Sequence, residues 1–149
     1  MKISVDRSLP DKVRTEVMVL GIFEGAKALS GDAQILDIAL KGRITSGLRS
    51  GDFKGKPGDT LLLYTEGRIS AQRLLLIGLG KSEEFSLEGI RKAAGRAVKG
   101  VKKLGKKRFH ALLPEIAKSV PLRNQARAWA EGAALADYQF VTFKGKEKD

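Results

Sequence analysis

The chain has no cysteine and a single histidine, His110, among its 149 residues. The first absence excludes disulfides, thiolate zinc sites, iron–sulfur ligation and a cysteine nucleophile together. The second excludes any His–His or His-Glu-x-x-His metal pair and leaves a serine hydrolase one base to use. Aromatics are scarce: six Phe, two Tyr and one Trp give little material for a base-stacking platform. Long apolar runs are missing, and a run such as 74–79 is too short to cross a bilayer. The N-terminus, Met1-Lys2-Ile3-Ser4-Val5-Asp6, is charged again by its sixth residue and has no signal-peptide core. The expectation is a soluble, cytoplasmic protein with no membrane partner.

What is present suits one packed domain. Hydrophobic residues make up 42% and charged residues 30%, enough apolar material for a core. Lys and Arg number 28 against 17 Asp and Glu, a formal charge of +11 that attracts polyanions without specifying a fold.

Three segments read as strands covered on both faces, because their apolar runs are continuous and bounded by turn signals: 17–21, 60–64 and 74–78. Weaker strands are expected at 2–6 and 108–113. The short link between Tyr64 and Arg73, with Glu66-Gly67 in it, predicts an antiparallel hairpin. A helix is expected between Gly80 and Arg108, with Ser86 as N-cap and Gly105 as stop. Its apolar residues Leu87, Ile90, Ala94, Ala97, Val98, Val101 and Leu104 keep steps of three and four. A second helix covers 32–41. A third follows Pro121, with Leu122, Ala126, Trp129, Ala133, Ala136 and Phe140 on one stripe. Alternating strands and helices predict a mixed sheet with helices on both faces, a three-layer α/β/α sandwich. Residues 144–149 read as a solvated linker.

Sites of chemistry are hard to find. Gly78-Leu79-Gly80-Lys81-Ser82 ends like a phosphate-binding loop, but Leu75 stands where the first glycine belongs, and Glu83 and Glu84 follow at once. A tight strand-to-helix turn is the expectation there. His110 sits inside an expected strand, as a packed or edge residue would. No serine stands in a Gly-x-Ser-x-Gly elbow, and Thr45-Ser46-Gly47 reads as a loop. Asp32, Asp37, Asp52 and Asp59 are scattered rather than spaced as a metal cage or an acid/base couple. No catalytic, metal or cofactor residue is therefore assigned.

One stretch stands out. Arg91, Lys92, Arg96, Lys99, Lys102, Lys103, Lys106, Lys107 and Arg108 supply nine cations, with no acid between residues 91 and 108. On a helix most fall opposite the apolar stripe, as an exposed cationic face. A solvated helix surface is the ordinary outcome of such a run. The absence of local carboxylates nevertheless makes its field one-signed and able to attract phosphate backbones. Nucleic acid is thus the alternative partner.

Taken in order, 19–25 (Val-Leu-Gly-Ile-Phe-Glu-Gly), 51–64 (Gly-Asp-Phe-Lys-Gly-Lys-Pro-Gly-Asp-Thr-Leu-Leu-Leu-Tyr), 73–81 (Arg-Leu-Leu-Leu-Ile-Gly-Leu-Gly-Lys) and 131–140 (Glu-Gly-Ala-Ala-Leu-Ala-Asp-Tyr-Gln-Phe) resemble the N-terminal domain of the leucine aminopeptidases, or cytosol aminopeptidases. The likeness extends from residue 2 to about residue 146. It implies a macro-domain-like fold, with residues 1–143 as a non-catalytic N-terminal domain and 144–149 as the start of an interdomain linker. It also implies a parent enzyme that removes N-terminal residues from peptides with two divalent metals, zinc or manganese, held in a catalytic domain beyond this segment. The family's Asn-Thr-Asp-Ala-Glu-Gly-Arg signature has no match here, so no catalytic or metal residue is carried over and no cofactor is expected in this segment. The implied partners are the parent's own catalytic domain and identical copies in a hexamer, and some bacterial members bind DNA. The macro-like fold raises ADP-ribose-type ligands as a further possibility by analogy alone.

Overall fold

The computed structural model describes residues 3, 8–26, 28–113 and 120–148, with side chains described as far as Asp137. The expected strand at 2–6 lies almost wholly outside the described residues. In chain order the elements are β1 (Val17–Phe23), α1 (Gly31–Ala39), α2 (Arg43–Ser50), β2 (Thr60–Tyr64), β3 (Arg73–Gly80), α3 (Leu87–Lys103), β4 (His110–Ala111) and α4 (Leu122–Lys148).

The strands form one mixed sheet in the order β2-β3-β1-β4. β1 is parallel to β3 and to β4, while β2 and β3 form the expected antiparallel hairpin with Tyr64 opposite Arg73. Alternation along the central strands divides the core in two. Val17, Val19, Leu75, Ile77 and Leu79 face α3 and α4, where Ile90, Ala94, Val98, Val101, Trp129 and Ala133 meet them. Met18, Leu20, Ile22, Leu74 and Leu76 face α1 and α2, against Leu36, Leu40, Ile44 and Phe53. Two apolar faces of one sheet must each be covered, and two helical layers do so. The fold is the predicted α/β/α sandwich.

Helix ends explain the boundaries. Ser86 caps α3 by accepting a hydrogen bond from the Gly89 amide at 3.4 Å. Gly105, at φ +72°, ends it: its amide donates to Lys102 O and the Lys106 amide to Val101 O, the paired bonds of a Schellman turn. Asp37, near the end of α1, caps α2 by accepting from the Ile44 and Thr45 amides at 2.9 and 3.1 Å. That cap corrects one expectation: Thr45-Ser46-Gly47 is helical, because a carboxylate from the preceding helix satisfies amides that the local sequence leaves open.

Three more expectations change. Residues 78–80 belong to β3, so the strand runs through both glycines and turns only at Lys81. Of 108–113 only His110 and Ala111 form a strand, extended by a bond from the Leu112 amide to Val19 O. On α4 the buried stripe is Gln125, Ala128, Trp129, Gly132, Ala133 and Ala136, with Leu122 67% exposed. Leu122 opens the first turn, before α4 reaches α3, and Gln125 is tolerated inside because its amide donates to Val120 O at 3.0 Å. The side chain of Phe140 lies outside those described. Helical backbone continues through Lys148, over most of the stretch that reads as a linker.

Contacts between α3 and α4 advance together along both helices, Arg91 with Glu131 and Lys102 with Asp137. The two helices are therefore parallel. Phe85, just before α3, packs edge-on against Phe23 at the carboxyl end of β1, with ring centroids 5.0 Å apart. Both helices consequently run from the carboxyl ends of the parallel strands back toward their amino ends.

Candidate polyanion-binding surfaces

The nine-cation run divides into three groups once α4 is in place. Arg91 is neutralised: its Nε donates to Glu131 at 3.1 Å and its Nη1 lies 3.4 Å from Glu88. The Glu131 hydrogen bond, reinforced by both carboxylate charges, holds the guanidinium more firmly protonated than usual. Lys102 pairs with Asp137, also on α4. The expectation of a run without balancing carboxylates thus fails at two positions, because the acids come from a helix some 35 to 40 residues further on.

Lys92, Arg96, Lys99 and Lys103 form the second group. Their steps of four, three and four place them on one line along α3, roughly opposite the buried Ile90–Ala94–Val101 face. At about 1.5 Å per residue the line is about 16 Å long. Lys92, Lys99 and Lys103 are exposed, Arg96 is half-buried, and none has an ion pair among the described residues. The third group, Lys106, Lys107 and Arg108, follows the helix. Arg108 turns away from the α3 line into a cleft at the amino ends of the strands, which it shares with Lys12, Arg14 and Arg68. Sequence spacing alone does not reveal that meeting, since the three segments lie far apart in the chain.

The glycine-rich segment offers no phosphate cradle. The 54–59 loop lies across β3, with the Gly78 amide donating to Asp59 O and the Gly80 amide to Gly55 O, both at 2.9 Å. Asp59 in turn accepts from the Lys54 and Lys56 amides at 3.2 Å. In open α/β sheets ligands favour the crevice at the carboxyl ends of the strands where the connections diverge. Here the protein's own loop and the Phe23–Phe85 pair occupy the ends of β1 and β3. A depression of about 320 Å³ remains beside β1 and β4, lined by groups such as Ile22, Leu29 and Leu113. Among the described residues that line it, Asp32 is the one charged group, and a carboxylate there does not favour the pyrophosphate of an ADP-ribose-type ligand. His110, in β4 opposite Met18, is half-buried. Among the described residues no three His, Cys, Asp or Glu side chains converge to hold a metal.

The fold and its surfaces thus define a three-layer α/β domain whose described residues assemble no catalytic constellation. The chain belongs to the cytosol aminopeptidase family: the model of that family's N-terminal domain matches residues 19–147. It is 37% identical over 151 residues to a "Probable cytosol aminopeptidase" of Methylobacillus flagellatus, covering 98% of this chain and 29% of that one. A relative of the same description from Alkaliphilus oremlandii is 31% identical, covering 100% and 30%. The chain therefore spans about 30% of the length of these curated relatives. Among solved structures it resembles a mutant tomato leucine aminopeptidase, with a TM-score of 0.69 and 22% identity over 89% of this chain and 27% of that one. It also resembles a bottromycin maturation enzyme solved with manganese, with a TM-score of 0.58 and 24% identity over 81% and 22%. These two likenesses show the fold.

Proposed function

We propose that the chain is the non-catalytic N-terminal domain of a cytoplasmic aminopeptidase, and that it serves assembly and access to an active site built elsewhere. The family match over residues 19–147 carries this reading. The share of the relatives left uncovered is large enough for a separate catalytic domain, which would hold two divalent metals, zinc or manganese, and hydrolyse N-terminal residues from peptides. The parent would assemble as a hexamer. Among the described residues no helix is long and apolar enough to cross a membrane.

The test is an assay of leucyl-p-nitroanilide hydrolysis with added manganese or zinc. The 149-residue chain alone is expected to show no turnover above the metal blank. The same chain fused to the catalytic part of a relative is expected to turn over. Hydrolysis by the isolated chain, abolished by a chelator, would overturn the reading.

The line on α3, whose cations have no ion pair among the described residues, favours a second activity, binding of nucleic acid by its phosphates. Four cations spread over about 16 Å match a phosphate backbone rather than base edges. Duplex affinity should fall steeply with salt, and replacing Lys92, Lys99 and Lys103 by Glu should reduce the logarithmic salt slope by about three. Lys102 is left in place because Asp137 already holds it. Undetectable binding at low ionic strength, or a slope unchanged in the triple variant, would end this reading.

A further inference from the structure

The cleft at the amino ends of the strands is a second electropositive site, distinct from the α3 line. It has a volume of about 740 Å³, within the range of small-molecule sites. Three guanidinium groups line it from three separate segments: Arg14 before β1, Arg68 in the β2–β3 turn and Arg108 before β4. Lys12 adds a fourth cation. Asp11 and Glu16 oppose them, and Asp11 lies 3.9 Å from Lys12. The described lining residues thus carry an excess of two positive charges, and none of the three arginines has an ion pair among the described residues.

The backbone beneath Arg14 and Arg68 is tied together. The Ser70 amide donates to Asp11 O and the Gln72 amide to Thr15 O, both at 3.0 Å, which ties the β2–β3 turn to the segment before β1. The turn itself has positive φ at Glu66 and Gly67 and is closed by the Arg68 amide donating to Thr65 O. Arg43 anchors it from α2, donating to Tyr64 O at 2.7 Å and to Glu66 at 3.0 Å. Guanidinium forks held on a tied scaffold suit bidentate recognition of phosphate oxygens. Among the described residues no aromatic ring lines the cleft to stack a nucleobase.

We propose that this cleft binds a small polyphosphate, an anion carrying two or more phosphate groups, through Arg14, Arg68 and Arg108. The probe is inorganic tripolyphosphate, titrated calorimetrically into the 149-residue chain at low ionic strength. One-to-one binding is expected, weakened at least tenfold by Arg68→Glu and by Arg108→Gln, and changed less than twofold by Lys99→Glu on the α3 line. Arg68 and Arg108 are both exposed, so the variants should fold, and their circular dichroism and thermal midpoints check this. Absence of measurable heat with millimolar tripolyphosphate would overturn the proposal. Equal weakening by Lys99→Glu would overturn it too, by showing diffuse charge attraction. So would a short DNA duplex that depends on Arg68 while tripolyphosphate does not, which would make the cleft part of a nucleic-acid track.

Discussion

Gly78→Ala is expected to destabilise the protein by about 3 kcal/mol or more, at or beyond the upper end of overpacking substitutions. A Cβ at this position would fall inside contact distance of the Lys56 carbonyl oxygen, and 2.7 and 2.8 Å from the carbonyl carbon and oxygen of Gly55. These neighbours are backbone atoms and cannot rotate away. The 54–59 loop is also hydrogen-bonded to β3 on both sides of the clash, through the Gly78 and Gly80 amides. Relief therefore requires breaking at least one of those bonds or displacing the loop from the strand. Gly55 repeats the arrangement on its other side, where a Cβ would lie 2.7 Å from Phe23 O and 2.9 Å from the Glu24 amide nitrogen. Three backbone segments thus stack with no side chain between them. Against a total stability of about 5–15 kcal/mol, such a loss moves the urea midpoint far, with an unchanged denaturant slope if unfolding stays two-state. A loss below about 1 kcal/mol, within the scatter of surface substitutions, would show that the loop is not held against the strand.

The same stack shows what was legible in the sequence. Gly78 and Gly80 read as a turn because glycine is the usual turn residue, yet the loop that requires them lies some twenty residues earlier, across a strand pairing. Period and punctuation sufficed for the layers. The 74–78 run, the Ser86 and Gly105 signals and the short link after Tyr64 depend on neighbours in sequence, and each matches an element or boundary of the structure. What escaped was non-local. α2 depends on the Asp37 carboxylate reaching forward to Ile44 and Thr45. Neutralisation of Arg91 and Lys102 depends on α4 lying parallel to α3. The arginine cleft depends on three segments meeting at one end of the sheet. The basic residues themselves were visible; which of them share a surface was not.

The α3–α4 contact leads to a paired result. Gly132→Ala is expected to cost about 1–3 kcal/mol, while Gly95→Ala at the facing position is expected to be neutral or stabilising by up to about 1 kcal/mol. A Cβ on Gly132 would lie 2.7 Å from the Arg91 Cα and 2.8 Å from its carbonyl carbon, so the helices can approach this closely only without a side chain there. On Gly95 the nearest atoms would be the Ala136 Cβ at 3.8 Å and the Gly132 carbonyl oxygen at 3.9 Å, ordinary contact. Both sites are helical, so each alanine gains the same propensity and reduces unfolded-chain freedom alike. The difference between the two variants therefore isolates the clash. The consequence extends to charge, because Arg91 on α3 bonds Glu131, the neighbour of Gly132. Pushing α4 away at Gly132 stretches that ion pair and exposes a guanidinium that is neutralised in the wild type. Gly132→Ala should accordingly lower the thermal midpoint and, if the α3 line binds duplex DNA, raise low-salt affinity slightly. Gly95→Ala should do neither, and equal midpoints for the two variants would show that the helices are not in close contact at Gly132.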